Sequence, residues 1–230
     1  MTEPLRPEDV RVLIPAYNEK NDLPGLVSAV RGFGFPVLVV DDGSTDGTAD
    51  AARAAGAEVL VSAKNEGKGA AIRKGFERFL ETPSQALILM DADGQHDPAD
   101  LPHFLKAVEQ NRMPFVIGNR LANPAGMPFL RRVTNRLMSK ILSWIVRQDV
   151  PDTQCGYRAL KREVVAHLSL HTERFEAESE MILEAARNGY EIGSIPVRCI
   201  YEKGQTSHIS PLPDTLRFLR FLLKSDYWKR

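Results

Sequence analysis

Cysteine is scarce. Cys155 and Cys199 are the only two in 230 residues, which excludes a disulfide scaffold and a cysteine zinc cage and predicts a reducing, cytoplasmic setting. Long apolar runs are missing as well. No stretch approaches the roughly 18 residues that a membrane span requires, and Met1–Asp9 has no apolar segment of the kind a secretory leader carries. A charge of one sign is also absent, since 30 Lys and Arg balance 30 Asp and Glu, and no nucleic-acid partner is expected. Both common glycine-rich nucleotide loops fail. The first strand ends in Ile14-Pro15-Ala16-Tyr17-Asn18-Glu19, where a dinucleotide fold would place G-x-G-x-x-G. The Gly67-Lys68 pair has Ser62 where a P-loop needs its first glycine and Gly69 where it needs a hydroxyl.

What remains is a chain long enough to bury a sizeable core without staples. Its neutral total hides a split: residues 1–100 hold 10 Lys and Arg against 17 Asp and Glu, and residues 101–230 hold 20 against 13. An acidic half suits a metal ion and a basic half suits phosphates or an anionic surface, although chance clustering gives the same pattern. Short apolar runs at Val10–Ile14, Val37–Val40, Glu58–Val61, Ala86–Met90 and Phe115–Gly118 predict strands. Helical patterns fall between them at Asn21–Val30, Thr48–Ala55 and Gly69–Leu80, and another begins at Asp97-Pro98. Runs that are apolar throughout, alternating with helices, predict a mostly parallel α/β sheet. Beyond Gly118 the pattern turns helical at Pro128–Arg147, Arg162–Leu168, Phe175–Asn188 and Pro213–Lys224, with a strand pair or bent strand over Ile192–Tyr201.

In such sheets ligands bind beyond the carboxyl ends of the strands, so those ends are where chemistry is sought. Met90-Asp91-Ala92-Asp93-Gly94-Gln95-His96 closes the strongest apolar run. If Asp91–Asp93 stays extended, the period of two puts both carboxylates on one face. Two carboxylates that close repel unless a cation sits between them, and hard oxygen ligands favour Mg²⁺ or Mn²⁺. Gln95 adds a neutral oxygen. A solvated acidic turn is the plainer alternative, and His96 reads as a packing or surface residue. Val40-Asp41-Asp42-Gly43-Ser44-Thr45-Asp46-Gly47 ends a second strand similarly, either as capping and turn chemistry or with a carboxylate for a nucleobase or ribose.

These strand ends resemble the family 2 glycosyltransferases of the GT-A fold. Pro15–Glu19, Asp41–Thr48, Asn65–Gly69 and Asp91–His96 stand in that family's order. They are followed by Gly118-Asn119-Arg120, Asp152–Arg158 and Ser207-His208-Ile209, as in the dolichyl- and polyprenyl-phosphate sugar transferases. The resemblance covers about residues 10–215. It implies one glycosyltransferase domain over 1–230, with a nucleotide-sugar and metal half at about 10–120 and an acceptor half at about 121–230.

By the same resemblance Pro15, Ala16, Tyr17 and Glu19 line the nucleotide pocket, Asp42 holds the base and Lys68 lies nearby. Asp91, Ala92 and Asp93 form the D-x-D element, and Asp91, Asp93 and Gln95 hold Mg²⁺ or Mn²⁺ on the diphosphate of a GDP- or UDP-sugar. Arg120 reaches a donor or acceptor phosphate. Arg131 and Arg132 are candidates for the same task, whereas Arg136 and Lys140 read as a solvated basic face. Asp93, Asp152, Arg120 and Arg131 are the expected catalytic set. Asp152 orients a phosphate acceptor or shapes its loop, or else Asp152 or Glu180 serves as base for a hydroxyl acceptor. Glu176, Glu178 and Glu180 otherwise read as a solvated helix face. The mannosyltransferase members known from archaea and eukaryotes have an Arg and a Lys where Glu202 and His208 stand here, so mannose is not assigned. Gln205–His208 is expected to close over the donor.

The acceptor implied is a lipid phosphate. Leu216, Phe218, Leu219, Leu222 and Leu223 oppose Arg217, Arg220 and Lys224, with Tyr227–Arg230 beyond. This is either a helix lying at a membrane interface or an ordinary packed terminal helix. A cytoplasmic protein, peripheral on the membrane or recruited by a membrane subunit, is the expectation.

Overall fold

The computed structural model describes residues 4–109, 113–173 and 176–200, together with Phe218 and Leu222. Seven strands form one sheet: β1 (Val10–Ala16), β2 (Val37–Asp41), β3 (Glu58–Val61), β4 (Ala86–Leu89), β5 (Phe115–Asn119), β6 (Arg158–Lys161) and β7 (Ile192–Pro196). Their spatial order is β3-β2-β1-β4-β6-β5-β7. β1 pairs in parallel with β2 and β4, β2 with β3 and β5 with β7, while β6 runs antiparallel between β4 and β5. The helices are α1 (Leu23–Gly32), α2 (Thr48–Ala54), α3 (Lys68–Leu80), α4 (Leu101–Glu109), α5 (Phe129–Val146), α6 (Arg162–His167) and α7 (Ala177–Arg187).

The apolar runs become central strands because both their faces are covered. β2 and β4 are buried at every residue, and β1 at all but Arg11. Within α3, Gly75 lets the helix lie against the sheet, since a Cβ there would meet the Leu13 side chain at 2.5 Å. The expected helix at Asp97 opens as a short 3₁₀ turn, Pro98–Asp100, with the Asp97 carboxylate accepting from Ala99 N at 2.9 Å before α4 begins.

One feature differs from expectation, and one stated alternative is decided. β6 was not anticipated, because a four-residue Arg-Ala-Leu-Lys segment bears neither period nor apolar run. It holds because Arg158 is fully buried with its guanidinium shared among the carbonyls of Thr153, Cys155 and Glu178 at 2.6–2.8 Å. The segment at 192–200 is a bent strand: after β7 the chain turns, Cys199 bridges His96, and Ile200 N donates to Gln95 O at 2.9 Å. Tyr201, Glu202, Gln205–His208 and most of the expected C-terminal helix lie outside the described residues. Phe218 and Leu222 are helical and buried in the core, so these two side chains of that pattern pack on protein. Among the described residues no helix is long and apolar enough to cross a membrane.

Candidate active site

A cleft of about 880 Å³ opens where β1, β2 and β4 end. The chain passes from β1 through β2 to β3 on one side and then places β4 on the other, so the crevice lies at a reversal of strand order. Twelve of the expected site residues line it: Pro15, Ala16, Tyr17, Glu19, Asp42, Lys68, Asp91, Ala92, Asp93, Gln95, Arg120 and Arg131. Asp152 does not.

The nucleoside wall is knitted from two loops. Asn18, left-handed at φ 57°, accepts from Thr45 N at 3.0 Å and donates its own N–H to Ser44 Oγ at 2.8 Å. Glu19 N donates to Thr48 Oγ1 at 2.9 Å, and Lys20 N to Asp46 at 3.2 Å. Tyr17 stands half-exposed at the rim. The buried Asp42 carboxylate accepts from Glu66 N at 3.0 Å and Gly67 N at 2.7 Å, so it also fixes the loop that starts α3. Gly43 permits that approach, because a Cβ there would collide with the Lys64 backbone.

The acidic wall is a turn. β4 stops at Leu89, and Asp93 accepts from Gln95 N at 3.0 Å around Gly94 at φ 70°. The extended-strand premise for Asp91 and Asp93 therefore fails; the turn, not strand alternation, brings both carboxylates to the cleft. Behind them His96 is buried and stacked on Tyr157 at 4.9 Å, as a packing residue. Burial holds its imidazole below the ordinary value despite Asp91 and Asp93 beside it.

Lys68 Nζ lies 2.6 Å from Asp91 and 2.6 Å from Glu178. Burial would neutralise this lysine, but the two carboxylates outweigh it and hold its pKa above the usual range. Burial likewise pushes Asp91 up, and Lys68 outweighs it, keeping the carboxyl well below the usual carboxylate range. Gly156 completes the seat: a Cβ there would overlap the Asp91 carboxylate.

The basic wall carries Arg131, from the first turn of α5, and Arg120. Arg120 is buried and donates Nε to Asp152 at 2.9 Å and Nη2 at 3.0 Å, with its backbone N–H on the same carboxylate at 3.0 Å. Asp152 is thus buried behind Arg120 and does not line the cleft; of its expected roles, contact with an acceptor finds no support in this placement, whereas shaping its loop agrees with it. Glu178 and Glu180 are corrected. Neither is on a solvated face; both are buried because the first turns of α7 face the protein. Glu180 accepts from His171 N and Thr172 N at 3.0 Å and from Thr172 Oγ1 at 2.6 Å, tying down the loop over α3.

The family model described as Glycosyl transferase family 2 matches residues 11–169. The chain belongs to that family. Among its relatives, Glycosyltransferase AglJ of Haloferax volcanii is 35% identical over 213 residues, covering 90% of this chain and 69% of that one. Polyprenol monophosphomannose synthase of Mycolicibacterium smegmatis is 32% identical over 202 residues, covering 81% and 75%. A crystal structure of glucosyl-3-phosphoglycerate synthase from Mycobacterium tuberculosis with Mn²⁺, uridine diphosphate and phosphoglyceric acid superposes with a TM-score of 0.72 at 18% identity, covering 93% and 77%. This last likeness concerns the fold. The chain is a family 2 glycosyltransferase on a GT-A framework.

The transferase has a donor set that fits a divalent cation. Asp91, Asp93 and Gln95 present hard oxygens to one cleft, and Asp91 is held ionised in spite of its burial. Glu178, read as part of a solvated helix face, instead holds Lys68, and Gly156, carried in the Asp152–Arg158 motif without a role of its own, admits Asp91. Nothing local marks Gly156 as a contact of a residue on another strand end.

Proposed function

We propose that this glycosyltransferase moves a hexose, with inversion, from a GDP- or UDP-sugar to a polyprenyl phosphate, with Asp91, Asp93 and Gln95 holding Mg²⁺ or Mn²⁺. The observation that carries the reading is the meeting in one cleft of that oxygen set, the Pro15–Glu19 and Asp42 wall, and the two guanidinium groups of Arg120 and Arg131. The cation, once bound, supplies positive charge to the diphosphate oxygens as the sugar bond breaks. Lys68, clamped by Glu178, keeps Asp91 ionised and in place for it. Pro15, Ala16, Tyr17, Glu19 and Asp42 hold the nucleoside. Arg120 and Arg131 grip acceptor phosphate oxygens, a task that suits the paired donors of guanidinium. The acceptor is already anionic and attacks the anomeric carbon without a base, while the nucleoside diphosphate departs from the opposite face.

Support for a phosphate acceptor comes from the two carboxylates that might have served as base. Asp152 is spent on Arg120 and Glu180 on Thr172. The names of relatives agree in class, since one is a polyprenol monophosphomannose synthase. A hydroxyl acceptor is the second reading. It is favoured by Glu178, which lines the cleft and whose Oε2 is buried with no hydrogen-bond partner among the described residues. A panel of nucleotide sugars with Mn²⁺ and polyprenyl phosphate, followed by product mass, tests the proposal. An acid-labile glycosyl phosphate is expected, and an acid-stable glycoside formed only on hydroxyl acceptors overturns it.

A further inference from the structure

We infer that the outer face of α5 is a docking surface for an anionic lipid bilayer, which sets the cleft mouth at the level of the headgroups. Phe129, Val133, Leu137 and Trp144 follow one another at intervals of four, four and seven residues, with Leu130 beside them, and all five are exposed, Phe129 at 71% and Trp144 at 75%. At 3.6 residues per turn they share an arc of about 100°. The buried residues of the helix, Asn135, Met138, Ser139 and Leu142, lie on the opposite side. A run of large apolar side chains along about 22 Å of helix, at 1.5 Å per residue, is more than scattered surface hydrophobicity.

Charge says what covers it. From Arg120 to Gln148 the chain has six Arg and Lys and not one Asp or Glu. Arg136 is exposed at the edge of the apolar stripe and Lys140 within it, where their stems can lie on lipid while the charges reach headgroup phosphates. A second copy of α5 would bring like charges together. Residues 201–230, with six Arg and Lys against three Asp and Glu, offer no complement either. An anionic bilayer satisfies both the stripe and its basic rim. Arg131, one turn into the same helix, lines the cleft, so a helix lying on the membrane carries a phosphate-gripping group to where a lipid phosphate stands. The docking deepens the proposed acceptor and rests on it only for this orientation.

The test uses the full chain with Trp228→Phe, which leaves Trp144 as its sole tryptophan. Binding is measured by flotation with phosphatidylcholine vesicles with and without phosphatidylglycerol, and Trp144 emission is read with lipids brominated on their chains. Tenfold or greater preference for the anionic vesicles is expected, with quenching of Trp144. Leu137→Ser with Trp144→Ser, and separately Arg136→Glu with Lys140→Glu, should each weaken vesicle binding by about tenfold or more, read by flotation. Both variants should keep their melting temperature and their transfer to a water-soluble short-chain phosphate, since all four residues are exposed. No vesicle binding, an unquenched Trp144, binding unchanged in both variants, or a dimer that Trp144→Ser dissociates would each overturn the docking. Vesicle binding without transfer to any lipid phosphate overturns the acceptor instead, and transfer without vesicle binding overturns the docking alone.

Discussion

Replacing Asp152 separates what the Arg120 pair does for the fold from what it does for the reaction. Asp152→Ala removes three acceptor contacts at 2.9–3.0 Å and leaves a guanidinium whose side chain is 4% exposed without its counter-charge. Stranding one member of a buried ion pair costs about 3–5 kcal/mol. In a chain of this size that lowers the melting temperature by about 6–20 °C, at 2–4 °C per kcal/mol. Arg120→Met with Asp152→Leu removes both charges and keeps the volume, and buried pairs replaced in this way are commonly neutral in stability. The double variant still strands the Arg120 backbone N–H, which costs about 1–3 kcal/mol, so it should melt above Asp152→Ala and a few degrees below the parent. If Arg120 grips phosphate, its kcat/KM should still fall by about 100-fold, the scale on which one charge-stabilising contact is lost. Calorimetry and steady-state kinetics on the two variants decide it. Should Asp152→Ala melt within about 2 °C of the parent, or should the double variant transfer sugar at full rate, the assignment of Asp152 as the group that positions a working Arg120 is wrong.

Asp93→Ala should reduce turnover by about 100-fold or more and leave the circular dichroism unchanged, because the residue sits in a turn beyond the end of β4, outside the sheet and helices. Gly156→Ala should lose more activity than stability. Its new methyl displaces the Asp91 carboxylate, and an ångström of misplacement costs on the order of 100-fold in rate, read as kcat beside a thermal melt. Burial pushes the Cys155 thiol up to about 12, so at pH 8 a thiol reagent should modify the half-buried Cys199 and spare Cys155 until the chain is denatured. The sign for stability follows. As pH rises above the ordinary 9.0 toward 12, the unfolded chain gives up this proton and the folded one does not. Stability then falls by as much as about 1.4 kcal/mol per pH unit, measurable by urea melts across that range.

Much of the site was legible because its motifs are short and covalently local. Ile14–Glu19, Val40–Gly47 and Met90–His96 each end an apolar run, and a parallel sheet delivers the ends of neighbouring strands to one edge. The sequence order alone therefore brought Tyr17, Asp42 and Asp93 to a common cleft, even though the extended geometry expected at Asp91–Asp93 is in fact a turn. β6 was illegible for the opposite reason. Its burial depends on carbonyls of Thr153 and Cys155 just before it and of Glu178 on α7, and no local period records that.

The amino-acid order by itself determined the alternation of strand and helix, the family, and the residues that gather at the strand ends, since each depends on neighbours along the chain. Only the tertiary structure decided which charges are at work and which are spent. Lys68 could be placed between Asp91 and Glu178, Asp152 behind Arg120, and Glu180 under Thr172 only by packing α3, α7 and the 152–158 loop against one another. The reason is electrostatic. Whether a carboxylate binds a cation, holds a lysine or anchors a backbone depends on distances of about 3 Å between segments far apart in the chain, at a burial where each charge must find a partner.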